Sequence, residues 1–308
     1  MFPTAIECTA KKEQKMETGK VREAEARDER EGTTLVLGGT GKTGRRVAAR
    51  LEARGLPVRV GSRSGQPPFD WENLDTWAPA LEGVESVYVS YYPDIAIPGA
   101  PEAVRSFAEL AVQSGVRRLV LLSGRGEEEA QRAEVALREV SDEAGVEWTI
   151  VRCAWFMQNF DEYFFLEPIL SGEVALPSGD VPEPFVDAED IADVAVAALT
   201  EDGHAGEIYE LTSPRLLTFE EAVGEIAKAT GREIRFVPVS LEEYESMLAE
   251  ADVPSEVVSA LTYIFGEVLD GRNSYLADGV RRALGREPKD FADYAREAAA
   301  TGIWDGGR

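Results

Sequence analysis

Leu35-Val36-Leu37-Gly38-Gly39-Thr40-Gly41-Lys42-Thr43-Gly44 joins a short apolar run to a glycine turn, and the segment that follows, Arg45 to Arg54, has the composition of a helix. A buried parallel strand reads as a continuous apolar run because both of its faces are covered. The turn after such a strand presents backbone N–H groups to a pyrophosphate at a helix N-terminus. Glycine permits the close approach, since it has no Cβ and reaches φ > 0 freely. The stretch is therefore expected to be a dinucleotide-binding turn, with Gly38, Thr40, Gly41, Lys42, Thr43 and Gly44 as cofactor-binding residues.

Gly38, Gly41 and Gly44 fall in a G-x-x-G-x-x-G spacing, wider by one residue than the common dehydrogenase fingerprint. It is similar to the spacing of the extended and atypical short-chain dehydrogenase/reductase families. Gly41-Lys42-Thr43 also matches the end of a Walker phosphate loop, but that loop needs a glycine where Val36 stands. A purely structural glycine turn is the third reading.

Outward from the turn, short apolar runs alternate with helical patterns, the signature of βαβ units and a parallel sheet. Strands are expected at Thr33–Leu37, Pro57–Gly61, Ser86–Ser90, Arg118–Leu122 and Trp148–Arg152, with helices at Gly41–Arg54, Asn73–Leu81, Pro101–Ser114 and Glu127–Ala144. After Arg152 the regularity weakens. Glu173–Pro184 is rich in Gly and Pro, helices are expected at Ala188–Leu199, Phe219–Ala229, Leu241–Glu250 and Ser255–Leu269, and short strands at Ile208–Leu211 and Ile234–Val237. The fold class is α/β, a Rossmann-like doubly wound parallel sheet with a smaller C-terminal α+β substrate lobe. Residues 1–31 are expected to be a disordered leader, 32–155 the nucleotide-binding domain, and 156–308 mostly the substrate lobe, with segments returning to the first domain.

Composition narrows the function. The chain of 308 residues carries a net charge of −25, which opposes a nucleic-acid or anionic-membrane surface. No run of about 18 apolar residues is present to span a bilayer, and no secretory h-region opens the chain, so a cytoplasmic protein is expected. Cys8 and Cys153 are far apart and His204 is the sole histidine, which argues against a disulfide framework and any metal cluster.

The strand at Pro57–Gly61 ends in Ser62-Arg63-Ser64, where an NAD-specific protein places an acid for the ribose 2′-hydroxyl. Arg63, with help from Ser62 or Ser64, suits a 2′-phosphate instead, so NADPH is expected in preference to NADH. Ser90, at the end of the third strand, and Ser123, just past the fourth, are placed at the cofactor as well. Reductases with a known proton donor use Tyr-x-x-x-Lys on the helix here read at Glu127, but that helix has neither residue. Indeed none of the nine tyrosines is followed four residues on by a lysine. Reduction of a ketone makes an alkoxide that needs a positioned acid, whereas an iminium accepts hydride to give a neutral amine. The missing pair favours an activated acceptor, or no catalysis at all.

Taken with Phe69-Asp70-Trp71, Trp148-Thr149-Ile150-Val151-Arg152, Trp155-Phe156-Met157-Gln158-Asn159-Phe160 and Pro184-Phe185-Val186-Asp187-Ala188-Glu189-Asp190-Ile191-Ala192, the glycine turn resembles the NmrA-like atypical short-chain dehydrogenases. Within them it is most similar to the festuclavine/agroclavine dehydrogenase type and its bacterial relatives. The resemblance implies an NADPH-binding Rossmann domain, a small lobe closing a cleft, and hydride transfer to an imine, quinone or azo acceptor. The group also contains NAD(P)-sensing regulators, which would act through a protein partner. The catalytic candidates are Ser123 and Tyr91, and the substrate-pocket candidates are Tyr91, Tyr92, Phe156, Gln158 and Asn159. Asp187 and Asp190 are read as helix-capping residues.

Overall fold

The structure, a computed structural model, describes residues 32–253 and 255–306. The leader expected over 1–31 lies outside the described residues. Six strands form one parallel sheet: β1 (Thr33–Leu37), β2 (Val58–Gly61), β3 (Val84–Val89), β4 (Arg118–Gly124), β5 (Glu147–Cys153) and β7 (Glu207–Leu211), in the order β2-β1-β3-β4-β5-β7. The second sheet is small, with β6 (Glu173–Leu176) parallel to β8 (Arg235–Pro238).

The alternation along β1 explains why both faces are covered. Leu35 and Leu37 enter one core with Trp77, Phe107 and Leu137, under α3 (Ala100–Gln113) and α4 (Glu128–Ala144). Val36 enters the opposite core with Val47, Leu51, Tyr88 and Val120, under α1 (Gly44–Ala53) and α6 (Ala188–Thr200). All three β1 residues are fully buried, so each is worth about 1.5–3 kcal/mol of transfer free energy. Between α1 and α3 lies α2 (Trp77–Leu81).

A third core is built from Phe160, Phe165, Phe185, Phe219, Phe291 and Trp304, and holds together the segments after β5. These include α5 (Leu166–Ser171), α7 (Phe219–Thr230), α8 (Leu241–Glu250), α9 (Ser255–Tyr263) and α11 (Phe291–Ala300). Three segments of this part return to the main sheet: β7 pairs with β5, α6 covers its face, and α10 (Gly279–Leu284) packs Val280 and Leu284 into the same core as α6.

The structure departs from the sequence reading in places. The helix expected from Gly41 starts at Gly44, because Gly38 to Thr43 are spent on the turn. The helix expected over Asn73–Leu81 is a 3₁₀ turn, Leu74–Thr76, running into α2. The one expected over Ser255–Leu269 changes after Tyr263 to a π-helical turn, Ile264–Val268. Strand β6 lies inside the Gly- and Pro-rich stretch that carried no strand reading, and α5, α10 and α11 were not foreseen.

Strand order reverses between β1 and β3, where the chain leaves β1 for β2 on one side and returns for β3 on the other. A crevice opens beyond the C-terminal strand ends at such a switch point, and ligands bind there in open α/β sheets.

Candidate functional site

The crevice at the switch point is a cavity of about 620 Å³. Its floor is the glycine turn. Gly38 sits at φ 62°, which favours glycine, and the space is tight as well, with Ser90 Oγ 3.2 Å from where a Cβ would be. The Gly41 N–H donates to Gly38 O at 2.8 Å and closes the turn. Gly44 packs its Cα onto the Gly38 carbonyl so closely that a Cβ there would overlap the oxygen. Gly44 itself does not line the cavity, whereas Gly38, Thr40, Gly41, Lys42 and Thr43 do.

Helix α1 begins without a side-chain cap and without an acidic residue in its first turn. Its positive end is therefore open to an anion at the cavity floor. Lys42 is held over the rings of Phe156 and Tyr163, at 5.9 and 5.4 Å, and donates to Asn159 Oδ1. Burial lowers its ammonium to about 8, against the pull of Glu162 and Asp161. The segment after β5 is further tied to α1 by charge, since Glu162 meets Arg45 at 2.6 Å and Arg46 at 2.5 Å, and Arg46 reaches Glu189 at 2.6 Å.

Ser62 and Arg63 line the cavity where β2 ends. Arg63 is exposed, its guanidinium lies 5.4 Å from the Tyr92 ring centroid, and no carboxylate pairs with it among the described residues. In a chain whose arginines are so widely engaged by acids, an unpaired one at this place is available for a phosphate. The open helix end, the glycine cradle and Arg63 together fit a dinucleotide with a 2′-phosphate.

Aromatic side chains make the wall near β3. Trp71 Nε1 donates to Ser90 O at 3.1 Å, and its ring packs on Tyr91 at 4.8 Å, so the Phe69-Asp70-Trp71 motif buttresses the strand end. Tyr91 faces the cavity half-buried, and burial, with Glu72 nearby, raises its phenol pKa. Tyr92 is exposed at the rim, and Phe156 and Asn159 line the opposite side. Gln158 does not reach the cavity: its Nε2 donates to Asp187 Oδ1 at 2.8 Å and its Oε1 accepts from the Ala188 N–H at 2.7 Å. A buried amide has to satisfy both ends, and here the start of α6 satisfies them. Asp187 caps α6 by accepting from the Glu189 N–H at 2.7 Å, and Asp190 holds Arg286 at 2.6 Å.

Ser123 lines the cavity too, but its hydroxyl donates to Glu134 Oε1 at 2.6 Å, which leaves its lone pairs rather than its proton for a ligand. Glu134, buried on α4, also accepts from Arg152 Nε at 2.8 Å, and Arg152 reaches Glu210 at 2.7 Å. His204 is far from any relay role. It is buried, with Nδ1 2.9 Å from the Tyr209 hydroxyl, and does not line the cavity.

The inner end of the cavity holds groups the sequence reading missed: Asp94, Arg125, Glu127, Glu183 and Asn273. Burial and the charge of Asp94 push Glu127 up to about 8, and burial pushes Glu183 up to about 7. Asp94 is raised by burial as well, although its Oδ1 accepts from the Ala96 N–H at 2.9 Å. Arg125 is buried, stacked at 4.1 Å on Tyr275, and 3.5 Å from Glu210. Leu261, Ile264 and Val268, from α9 and the π turn, give this end an apolar side. Glu127 was legible only as the first residue of a helix searched for Tyr and Lys.

Two family models match this chain, NAD(P)H-binding over residues 38–202 and NmrA-like family over residues 127–295. An uncharacterized oxidoreductase, YesF, of Bacillus subtilis is 31% identical, covering 88% of this chain and 97% of its own length. Festuclavine synthase II of Penicillium roqueforti is 32% identical over 85% of this chain and 97% of its own. Among solved structures, the triphenylmethane reductase of Citrobacter sp. with NADP(H) superposes with a TM-score of 0.69 at 20% identity, covering 87% of this chain and 99% of that one, and so shares the fold. With the glycine turn, the switch-point cleft and these relatives agreeing, the chain belongs to the NmrA-like family of NAD(P)H-binding oxidoreductases.

Proposed function

We propose that this protein is an NADPH-dependent reductase of a small or planar activated acceptor, an imine or iminium, a quinone or an azo compound, acting without a Tyr-x-x-x-Lys relay. The observation that carries the reading is the continuity of one cavity, from the glycine turn and Arg63 to a chamber walled by Tyr91, Trp155, Phe156, Phe164 and Ile264. A regulator that only senses its cofactor needs the first part; the second is room for a planar molecule, which aromatic walls hold by stacking.

When bound, NADPH supplies hydride. The chain's part is to fix the phosphates at the start of α1, to stack the acceptor, and to exclude water with Leu261 and Val268. Arg63 selects the 2′-phosphate. That a festuclavine synthase of Penicillium roqueforti, an NAD(P)H azoreductase of Xenophilus azovorans and a triphenylmethane reductase of Citrobacter sp. are similar to this chain supports the reading.

The test is purified protein with NADPH and a panel of iminium, quinone and azo acceptors, followed at the nicotinamide absorbance. Oxidation of NADPH dependent on one of these acceptors is expected. Tight NADPH binding without turnover across the panel would favour the sensor reading instead.

A further inference from the structure

We propose that Glu127 is the proton donor of this site, standing in for the absent tyrosine when the acceptor's heteroatom must be protonated. The inference rests on the reductase reading. Glu127 lies immediately before α4, the helix that carries Tyr-x-x-x-Lys in reductases using that relay, and four residues beyond Ser123. Its carboxyl folds back over Gly124, filling the space that a side chain there would take, so that it lines the cavity itself. It is not the cap of α4 by a side-chain hydrogen bond, and it forms no ion pair among the described residues. The cap position thus gives no structural employment to the group.

The surroundings keep a proton on it. Asp94 faces it from the loop after β3, and Tyr263 from α9. Cys153, buried at the end of β5, also feels its charge, while Arg125 is engaged with Glu210 and the carbonyls of Asn273 and Tyr275. Arg272, the other nearby cation, is bound to Asp270 at 2.8 Å and donates to Gly126 O. Burial beside a second carboxylate favours the neutral acid, and the two cations that would oppose it have partners of their own. Glu127 is pushed up to about 8, so that it keeps its proton at neutral pH and can still give it up, as a general acid must.

The chemistry balances with this one group. Hydride adds to one atom of the acceptor's multiple bond or conjugated system, and an electron pair moves onto an oxygen or nitrogen. That atom takes the proton from the Glu127 carboxyl, and the carboxylate left behind is reprotonated from water. A quinone or azo acceptor needs this step. An iminium does not, since its electron pair only cancels the positive charge on nitrogen.

Two readouts test the assignment. Infrared difference spectra of the cofactor-free wild type against Glu127→Gln should show a protonated carboxylic C=O band near neutral pH that vanishes as pH rises past about 8, and in Asp94→Asn that loss should move to lower pH. In turnover, Glu127→Gln should lower the ratio of quinone to iminium rate by on the order of 10²-fold, the low end for a positioned general acid. NADPH titration of the variant verifies that the cleft is intact. A wild type already ionised at neutral pH, or equal losses with both acceptors, would overturn the role of Glu127 while leaving the reductase reading standing. A wild type that reduces no acceptor would overturn both, even if the band is present.

Discussion

Arg63→Ala separates the two nicotinamide cofactors and so tests how the cleft chooses between them. Arg63 is exposed and has no carboxylate partner among the described residues, so its removal breaks no ion pair and should leave stability within about 0.5 kcal/mol. A hydrogen bond to a charged group is worth about 1.5–3 kcal/mol, and solvent screening at this rim argues for the low end. At about 1.4 kcal/mol per decade, NADPH affinity should fall roughly tenfold. NADH lacks the 2′-phosphate and should change by less than about twofold on the same scale. Arg63→Lys should recover only part of the loss, because an ammonium lacks the two-pronged geometry and stacks less well on Tyr92. Fluorescence titration with both cofactors, at low and high salt, gives the numbers, and the NADPH loss should shrink as salt rises. Equal losses for NADPH and NADH would refute the assignment of Arg63 to the phosphate.

Other perturbations follow from the same contacts. Gly44→Ala should destabilise the fold and abolish cofactor binding, since its methyl would collide with the Gly38 carbonyl; Gly224→Ala, in the middle of α7 with nothing near the added methyl, should raise stability in urea by about 0.5–1 kcal/mol. Lys42 is lowered to about 8 by burial, so its ammonium is lost as pH rises beyond that point and the wild type should bind NADPH progressively less well. In Lys42→Met the affinity should be weaker at neutral pH, and that alkaline fall should flatten in a calorimetric titration. Glu134→Ala leaves Arg152 with only Glu210 and Ser123 without its acceptor, at a cost of about 3 kcal/mol by urea denaturation, near the low end for breaking a buried pair.

How much of this was legible depends on how local each feature is. The strands around the switch point are continuous apolar runs, and the turn after β1 is a spacing of glycines, so both can be read from adjacent residues. Ser62, Arg63, Ser90 and Tyr91 follow from knowing that ligands gather at strand ends, and all four line the cavity. Gln158 looked like its neighbour Asn159, but adjacent residues in the 3₁₀ turn Met157–Asn159 point in different directions, and α6 lies on the side that Gln158 faces. The inner chamber was hidden for a different reason. Asp94, Glu127, Glu183 and Asn273 come from four separate loops, and their meeting is a fact of packing with no signature in spacing. Strand β8 was read at Ile234–Val237, but the short β6 that pairs with it depends on a partner about sixty residues away, beyond what a period within it could announce.

The most direct measurement of the central claim is label transfer. Protein is incubated with NADPH deuterated at the transferable C4 position and an iminium acceptor, and the product is examined by mass spectrometry. One deuterium is expected on the former iminium carbon, with the yield of label lowered in step with cofactor affinity in Arg63→Ala at limiting NADPH. Saturating NADPH binding with no deuterium on the iminium product, and no NADPH oxidation with the quinone or azo acceptors, whose O–D and N–D bonds would lose the label to water, would contradict the claim and leave the cleft a cofactor sensor.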